Sequence, residues 1–309
     1  MKRASMQLAV GIVFSFLVAT SASAQVARVF LAGTGNDAGD CTDQATPCRS
    51  LQGAVTACPV DGEIIILDNG GYGGATITKP LTVNASAGVV AFIARTITVN
   101  IASTDKVVLR GLSMNGVVFG DASGIAFTGG GTLVVENSVI AGFVSEGIKQ
   151  AAAGSNLIVN NCEFRNNGNG VLNRTFTNTN TNTVIENSRF EYHRDYGVSV
   201  ADGTANVSIR NSVFANNYGG VAAVGNSQSQ PVLVLVDTCT IAHGVEGLLA
   251  QINMGYASAT MRVTNSTIYH NTYGMTASAP GTAIESYGNN RVTANTYSST
   301  FSGTVLPLQ

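Results

Sequence analysis

The sequence predicts an all-β chain, a parallel β-helix in which each coil stacks on the one before, and three observations carry that reading. First, one phrase recurs. VSIRNSVFANNYGGVAAV from Val207 returns as LVVENSVIAGFVSEGIKQ from Leu133, LIVNNCEFRNNGNGVL from Leu157 and TVIENSRFEYHRDYGVSV from Thr183. It returns again as VLVDTCTIAHGVEGLLA from Val234 and MRVTNSTIYHNTYGMTA from Met261, with a fainter copy, VVLRGLSMNGVVFG, from Val107. Second, the copies align on two columns. Asn137, Asn161, Asn187, Asn211, Thr238 and Asn265 recur at steps of 24 to 27 residues, and Gly147, Gly170, Gly197, Gly220, Gly247 and Gly274 run in phase with them. Third, apolar residues alternate within each copy, as at Val207, Ile209 and then Phe214, which is the period of a strand and not of a helix. A unit of this length cannot bury its own apolar face and must stack on copies of itself. Asn and Gly, which accept a left-handed backbone, supply its corners.

Residues 1–24 read as an export signal. Lys2 and Arg3 give the positive start, Leu8 to Ala19 the apolar core and Ala22-Ser-Ala24 the small-residue cleavage site. The apolar run is too short to span a bilayer, so membrane insertion is not expected. Removal of this segment leaves 14 basic against 18 acidic residues, a net charge of −4. With only 11% of residues charged and no Lys/Arg cluster, nucleic acid and anionic membrane surfaces are excluded as partners. The expected location is secreted or periplasmic.

Residues 25–62 form the expected cap segment. An amphipathic helix over 47–58, with Thr46 as cap and Pro47 as first helical residue, places Leu51, Ala54, Val55 and Cys58 on one buried face. Such a helix plugs the open end of the solenoid and protects its edge from pairing with other chains. Cys41 and Cys48 flank a short turn and are the expected disulfide, with Cys41 to Cys58 as the rival pairing. The Gly33 to Asp43 loop carries Asp37, Asp40 and Asp43. They could bind Ca²⁺, but a Gly/Asp turn is the simpler reading, because the helix-loop-helix calcium spacing is missing.

Residues 63–309 are the solenoid, of about ten coils by this period. Cys162 and Cys239 share a column with Ser138, Ser188, Ser212 and Ser266 and face inward as inert core residues. Their separation of three coils, roughly 14 Å, is beyond disulfide reach. Opposite charges meet on adjacent rungs at Arg110/Glu136, Glu186/Arg210 and Arg210/Asp237, and Glu163 faces Arg189 as Arg165 faces Glu191. Alternating signs point to cross-strand pairing rather than to a catalytic carboxylate cluster. Thr175 to Thr183, TFTNTNTNT, breaks the rhythm and reads as a solvated corner loop or extended edge.

With the Asn column and the opening VFLAGTGNDAGDCTDQATPCRSLQGAVTAC…GEIIILDNGGYGGATITKPLTV, the chain resembles the right-handed parallel β-helix proteins of the pectin-lyase-like superfamily. The resemblance covers roughly Val26 to Asn295 and implies a right-handed coil. That superfamily holds lyases, hydrolases, epimerases and adhesins, so the fold alone does not assign an activity. Pectate lyases of the group would bring a Trp-containing strand and a calcium carboxylate cluster, and this chain has no Trp. The Asn-Thr-Asp, Asp-Asp and Arg-Ile-Lys segments of polygalacturonases are also missing from the sequence.

One corner strip carries the candidate site. After each inward aromatic or aliphatic residue the turns read Glu191-Tyr-His193-Arg194-Asp195-Tyr196, Asn216-Asn-Tyr218, His243-Gly-Val-Glu246 and His270-Asn-Thr-Tyr273. All three histidines fall here. His243 and His270 are expected on neighbouring rungs about 5 Å apart. With Glu246 they make the candidate catalytic set, as base or as metal ligands. Tyr196, Tyr218 and Tyr273, with His193 and Asp195, make the candidate ligand-binding set, the rings offering flat apolar faces to sugars. No cofactor is required. The leading reading is a cell-surface module that binds a polysaccharide or surface glycan. The alternatives are a polysaccharide lyase or glycoside hydrolase, and a purely structural envelope protein or adhesin.

Overall fold

The computed structural model describes residues 27–175, 179–201, 205–225, 231–252, 258–297 and 300–307, so the expected export signal lies outside the described residues, as does the centre of the Thr175 to Thr183 insert. Among the described residues the strands wind into three parallel sheets of 11, 10 and 9 strands. One coil shows the unit. Ala205–Arg210 lies in the first sheet, Val213–Ala215 in the second and Gly219–Gly225 in the third. Each strand pairs in parallel with its counterpart on the next coil, so Ile209 lies opposite Val236, Phe214 opposite Ile241 and Val221 opposite Leu248. Columns in the sequence are therefore columns in space.

The first corner turns on the asparagines. Asn137, Asn161, Asn187, Asn211 and Asn265 have φ between 48° and 53°, a left-handed backbone that Asn tolerates better than most residues. Their side chains also bond along the axis. Asn161 Nδ2 donates to Asn137 Oδ1 at 2.7 Å, Asn211 to Asn187 at 2.6 Å, and Asn289 to Asn265 at 2.7 Å. Beneath them runs the expected inward column, where Ser188 and Ser212 hydroxyls accept the backbone N–H groups of Cys162 and Ser188 at 3.2 Å. Thr238 breaks the outer ladder. It holds φ 54° with a β-branched side chain, whose hydroxyl turns to Asp237.

Inside, Phe164, Phe190 and Phe214 stack face to face, with centroids 4.8 and 4.7 Å apart. This stack, continued by Ile241 and Ile268 on later coils, explains most of the glycine column. At Gly170 a Cβ would stand 2.5 Å from the Gly197 carbonyl oxygen and 2.6 Å from the Phe190 ring, so the third sheet closes on the aromatic layer only without side chains. Cys58, Cys162 and Cys239 are free and buried, and Cys41 and Cys48 are bonded. Burial pushes the Cys162 thiol up to about 12 and the Cys58 and Cys239 thiols up to about 11.

The cap helix is present but starts later than expected. It spans Leu51–Ala57 with Ser50, not Thr46, as its N-cap. Cys48 explains the shift, because it is tied to Cys41 and its backbone pairs with Phe30 and Ala32, which holds residues before 50 extended. Asp37 fastens this junction by accepting the Arg49 and Ser50 N–H groups and the Ser50 hydroxyl. Burial raises the Asp37 carboxyl, but the hydrogen bonds from Ser50 and Arg49 together outweigh it and hold the group below its ordinary value. Asp40 and Asp43 accept from Thr42 and Ala45, so these two carboxylates of the loop serve local turns. Leu51, Ala54, Val55 and Cys58 join the solenoid core, as the plug requires.

Two surface expectations need correction. The ion pairs Arg110–Glu136 and Arg210–Asp237 do cross rungs at 3.0 and 3.1 Å. Glu163 and Arg189 are in register, yet the ion pairs formed are Arg165–Glu163 and Arg189–Glu191, within one strand. Residues two apart share a face, and this contact satisfies both charges without crossing a rung. Nor is the polar insert all solvated. Thr181 and Thr183 are buried, and with Gln150, Ser155 and Asn173 they make a closed hydrogen-bonded knot inside the third corner.

Thr238→Asn should raise stability by about 1 kcal/mol, because Asn relieves a β-branched residue in the left-handed region and can rejoin the ladder. Denaturant titration of the two proteins checks it, and a lower midpoint for the variant counts against the ladder as a source of stability. The three free thiols should resist alkylation in the folded protein and react together on unfolding. Mass mapping with and without denaturant reads this directly.

Candidate functional site

The strip singled out in the sequence lies between the second and third sheets. Its backbone is left-handed as well. Asn166, Tyr192, Asn216, His243 and His270 have φ between 54° and 60°, with Gly142 at the same place one coil earlier at φ 71°. The next residue in each coil points inward and forms a second ladder. Asn167 Oδ1 accepts the Phe143 N–H and Asn217 Oδ1 the His193 N–H, both at 2.9 Å, and Asn271 Oδ1 accepts the Gly244 N–H at 3.0 Å. Their amide nitrogens donate to the carbonyls of Ile140, Phe190 and Ile241. The paired asparagines Asn166-Asn167 and Asn216-Asn217 were the signal for this ladder, one member facing out and the other in.

His193 belongs to that inner ladder and not to the surface. It is 3% exposed, its Nδ1 accepts the Asn167 N–H at 3.2 Å, and its Nε2 has no hydrogen-bond partner. Burial pulls its pKa down to about 4, so the ring stays neutral. The ligand-binding role expected for His193 is therefore corrected. In TVIENSRFEYHRDYGVSV the left-handed corner residue is Tyr192, one position earlier than the spacing of histidines suggested.

His243 and His270 do meet. Their ring centroids are 5.3 Å apart, and Tyr269 packs edge-on against both at 5.7 and 5.0 Å. Glu246 does not complete this set. It accepts a hydrogen bond from the Tyr196 hydroxyl across two rungs, over Gly219, where a Cβ would stand 2.2 Å from the Tyr196 ring. Burial, then the hydrogen bond and charge of Glu246, raise the Tyr196 pKa far above its ordinary value, so this phenol stays protonated and cannot act as a base. Among the described residues, no group of three or more His, Cys, Asp or Glu side chains is placed to hold a metal ion.

The tyrosines form the second half of the strip. Tyr218 meets Tyr196 edge-on at 5.8 Å, and Tyr273 stacks on Tyr297 at 4.8 Å with planes 15° apart. Tyr218, Tyr273 and Tyr297 are 45%, 42% and 56% exposed. Asp195 is exposed beside them, and Arg194 reaches across to the Val144 carbonyl at 2.5 Å. Tyr297 was not recognised in the sequence because it follows the last clear repeat. Glu146 and Asn169 were missed too, since they sit on the Tyr196 and Glu246 column two coils and one coil before Tyr196, in less regular copies. Glu146 accepts from the Ser123 hydroxyl at 2.8 Å, and Asn169 Oδ1 accepts the Tyr196 N–H at 3.2 Å.

A family model described as the right-handed β-helix region matches residues 84–234 and 176–306, which together exceed half of the chain. No curated protein matches the sequence. Among solved structures the chain is similar to the pectate lyase Pel9A, at 16% identity and a TM-score of 0.57 over 91% of this chain and 78% of that one. It is also similar to XylC in complex with xylose, at 10% identity and a TM-score of 0.53 over 86% and 74% of the two chains. The GH136 lacto-N-biosidase from Eubacterium ramulus gives 10% identity and a TM-score of 0.52 over 86% and 68%. At these identities the likeness concerns the fold. Among the described residues, no helix is long and apolar enough to cross a membrane.

The geometry of His193 gives a stability prediction. An ordinary His takes up a proton near 6.5, and the folded protein resists this until about 4. The unfolded chain is then favoured as pH falls through that window, by about 3 kcal/mol in all. Full stability from this residue is present above 6.5 and is lost between 6.5 and 4. His193→Asn should remove this loss and raise stability at neutral pH by about 1 kcal/mol, because Asn fits the ladder and leaves no orphaned nitrogen. Unfolding of both proteins at pH 7, 5.5 and 4 checks it, the expected result being a difference that widens in acid.

Proposed function

The chain belongs to the right-handed β-helix family, and from that premise we propose that it is an exported glycan-binding module whose contact surface is the corner between the second and third sheets. The observation that carries this reading is the set of exposed rings, Tyr218, Tyr273 and Tyr297, facing outward on nearby coils. Exposed aromatic rings supply flat apolar area at low entropic cost, which suits the C–H faces of pyranose rings. Beside them Glu246, oriented by Tyr196, and the exposed Asp195 offer acceptors to sugar hydroxyls. Coils repeat at about 4.8 Å, so an extended polysaccharide laid along the axis meets successive rungs. The Cys41–Cys48 bond supports the exported setting, because such bonds persist in oxidising compartments.

A catalytic reading, as polysaccharide lyase or glycoside hydrolase, has its strongest support in the approach of His243 and His270. It is the weaker of the two, because general acid–base chemistry needs groups converging on one reacting centre and Glu246 is engaged with Tyr196.

A glycan array followed by calorimetry on the best ligand tests the proposal, with parallel turnover assays on uronic-acid polymers with and without Ca²⁺. Tyr218→Ala and Tyr273→Ala should each weaken binding by about 1–2 kcal/mol while leaving the fold intact. Polymer cleavage that disappears in a folded His243→Ala or His270→Ala protein would replace the module with an enzyme.

A further inference from the structure

The histidine pair has a use that the glycan surface does not absorb. We propose that His243 and His270 form an open two-histidine site for a divalent transition-metal ion, with Cu²⁺ bound most tightly and Zn²⁺ after it. Two imidazoles bound to one ion at about 2.0–2.1 Å have ring centroids about 5 Å apart at the tetrahedral angle of Zn²⁺ and about 4.5 Å apart at the cis angle of tetragonal Cu²⁺. The two rings stand 5.3 Å apart before any ion is added. They are tilted by 44° and not stacked, an arrangement compatible with one nitrogen of each ring reaching a shared ion.

The surroundings favour the same use. Both side chains are exposed, and both spring from left-handed corner residues on adjacent coils, with φ 60° and 55°. The backbone ladder fixes their separation, since Thr240–Ala242 pairs with Thr267–Tyr269 immediately before them. Tyr269 packs edge-on against both rings and limits their rotation on one side. Among the described residues neither imidazole makes a hydrogen bond or ion pair with a carboxylate, and Glu246 is bonded to Tyr196 instead. Imidazole nitrogen without carboxylate selects Cu²⁺, Ni²⁺ and Zn²⁺ over the hard cations Ca²⁺ and Mg²⁺. Two protein ligands leave the other coordination positions open to water.

The test uses the tag-free exported chain. Titration with CuSO₄, followed by calorimetry and electron paramagnetic resonance, should show one ion per chain coordinated by two imidazole nitrogens. Competition should rank Cu²⁺ above Zn²⁺, and a hundredfold excess of Ca²⁺ should not displace either. His243→Asn and His270→Asn are the informative variants, since Asn166 and Asn216 occupy the same corner position on other coils and the fold accepts Asn there. Each should lower Cu²⁺ affinity at least tenfold, and the double variant should fall little further. His193→Asn should bind as the wild type does. Affinity within twofold of wild type in either corner variant, or a spectrum without two nitrogen ligands, overturns the proposal. Glycan binding measured on the same variants is a separate readout, so the two proposals fail independently.

Discussion

The structure depends on one constraint, the in-register stacking of parallel strands at about 4.8 Å, because every residue then has its own counterpart directly above and below it. Apolar side chains stack without difficulty, as the Phe164, Phe190 and Phe214 column does. Corners are harder. A coil of this size must turn sharply, and its left-handed residues leave backbone groups that no strand partner reaches. The protein answers with side-chain ladders that run along the axis. Hydroxyls of Ser138, Ser188, Ser212 and Ser266 serve the first corner, and the amides of Asn167, Asn217 and Asn271 serve the second. Buried polar groups left unpaired cost about 1–3 kcal/mol each, so a solenoid without such ladders would lose stability with every coil.

How much of this could be read in advance follows from how each column is written. The first corner uses Asn at nearly every coil, so identity alone revealed the repeat, its register and the inward serine column. The second corner writes its left-handed residue as Gly142, Asn166, Tyr192, Asn216, His243 and His270, six positions with four residue types. No single identity marks it. His193 lies three positions after Phe190, as the inward Asn217 does after Phe214, whereas His243 and His270 lie two after Ile241 and Ile268, so grouping the histidines by type places a core residue on the surface. The cap helix shows the same limit in another form. Thr46 and Pro47 are good starting signals, but the Cys41–Cys48 bond and the pairing of Cys48 with Phe30 and Ala32 hold that stretch extended, and no local propensity contains that information.

Column arithmetic places residues on rungs but does not say which way they point. It put His243 and His270 within reach of each other, and their rings are adjacent. It grouped Glu246 with them because Glu246 lies only three positions after His243. The chain passes from corner to strand in that interval, and Glu246 turns to Tyr196 on the third-sheet side while His243 packs with Tyr269 on the second-sheet side. The Tyr196 to Glu246 contact spans two rungs and is permitted only because Gly219 lies between them. A glycine in a polar column, flanked by an aromatic one coil before and a carboxylate one coil after, is the sequence trace of such a bridge.

The position of the candidate site follows from the same economy of ladders. At the first corner the outward residues are themselves occupied, since Asn137, Asn161, Asn187 and Asn211 spend their amides on one another and on Asn160. The neighbouring charged column is occupied as well, with Arg110 and Arg210 held by Glu136 and Asp237. At the second corner the inner amides of Asn167, Asn217 and Asn271 satisfy the turn from within. Its outward positions are therefore released from structural duty, and they are the positions where the sequence departs from its repeat into histidine and tyrosine. Variation along this strip is the freedom that the buried ladder provides, and it places side chains able to meet a ligand on the face of the solenoid that needs them least for folding.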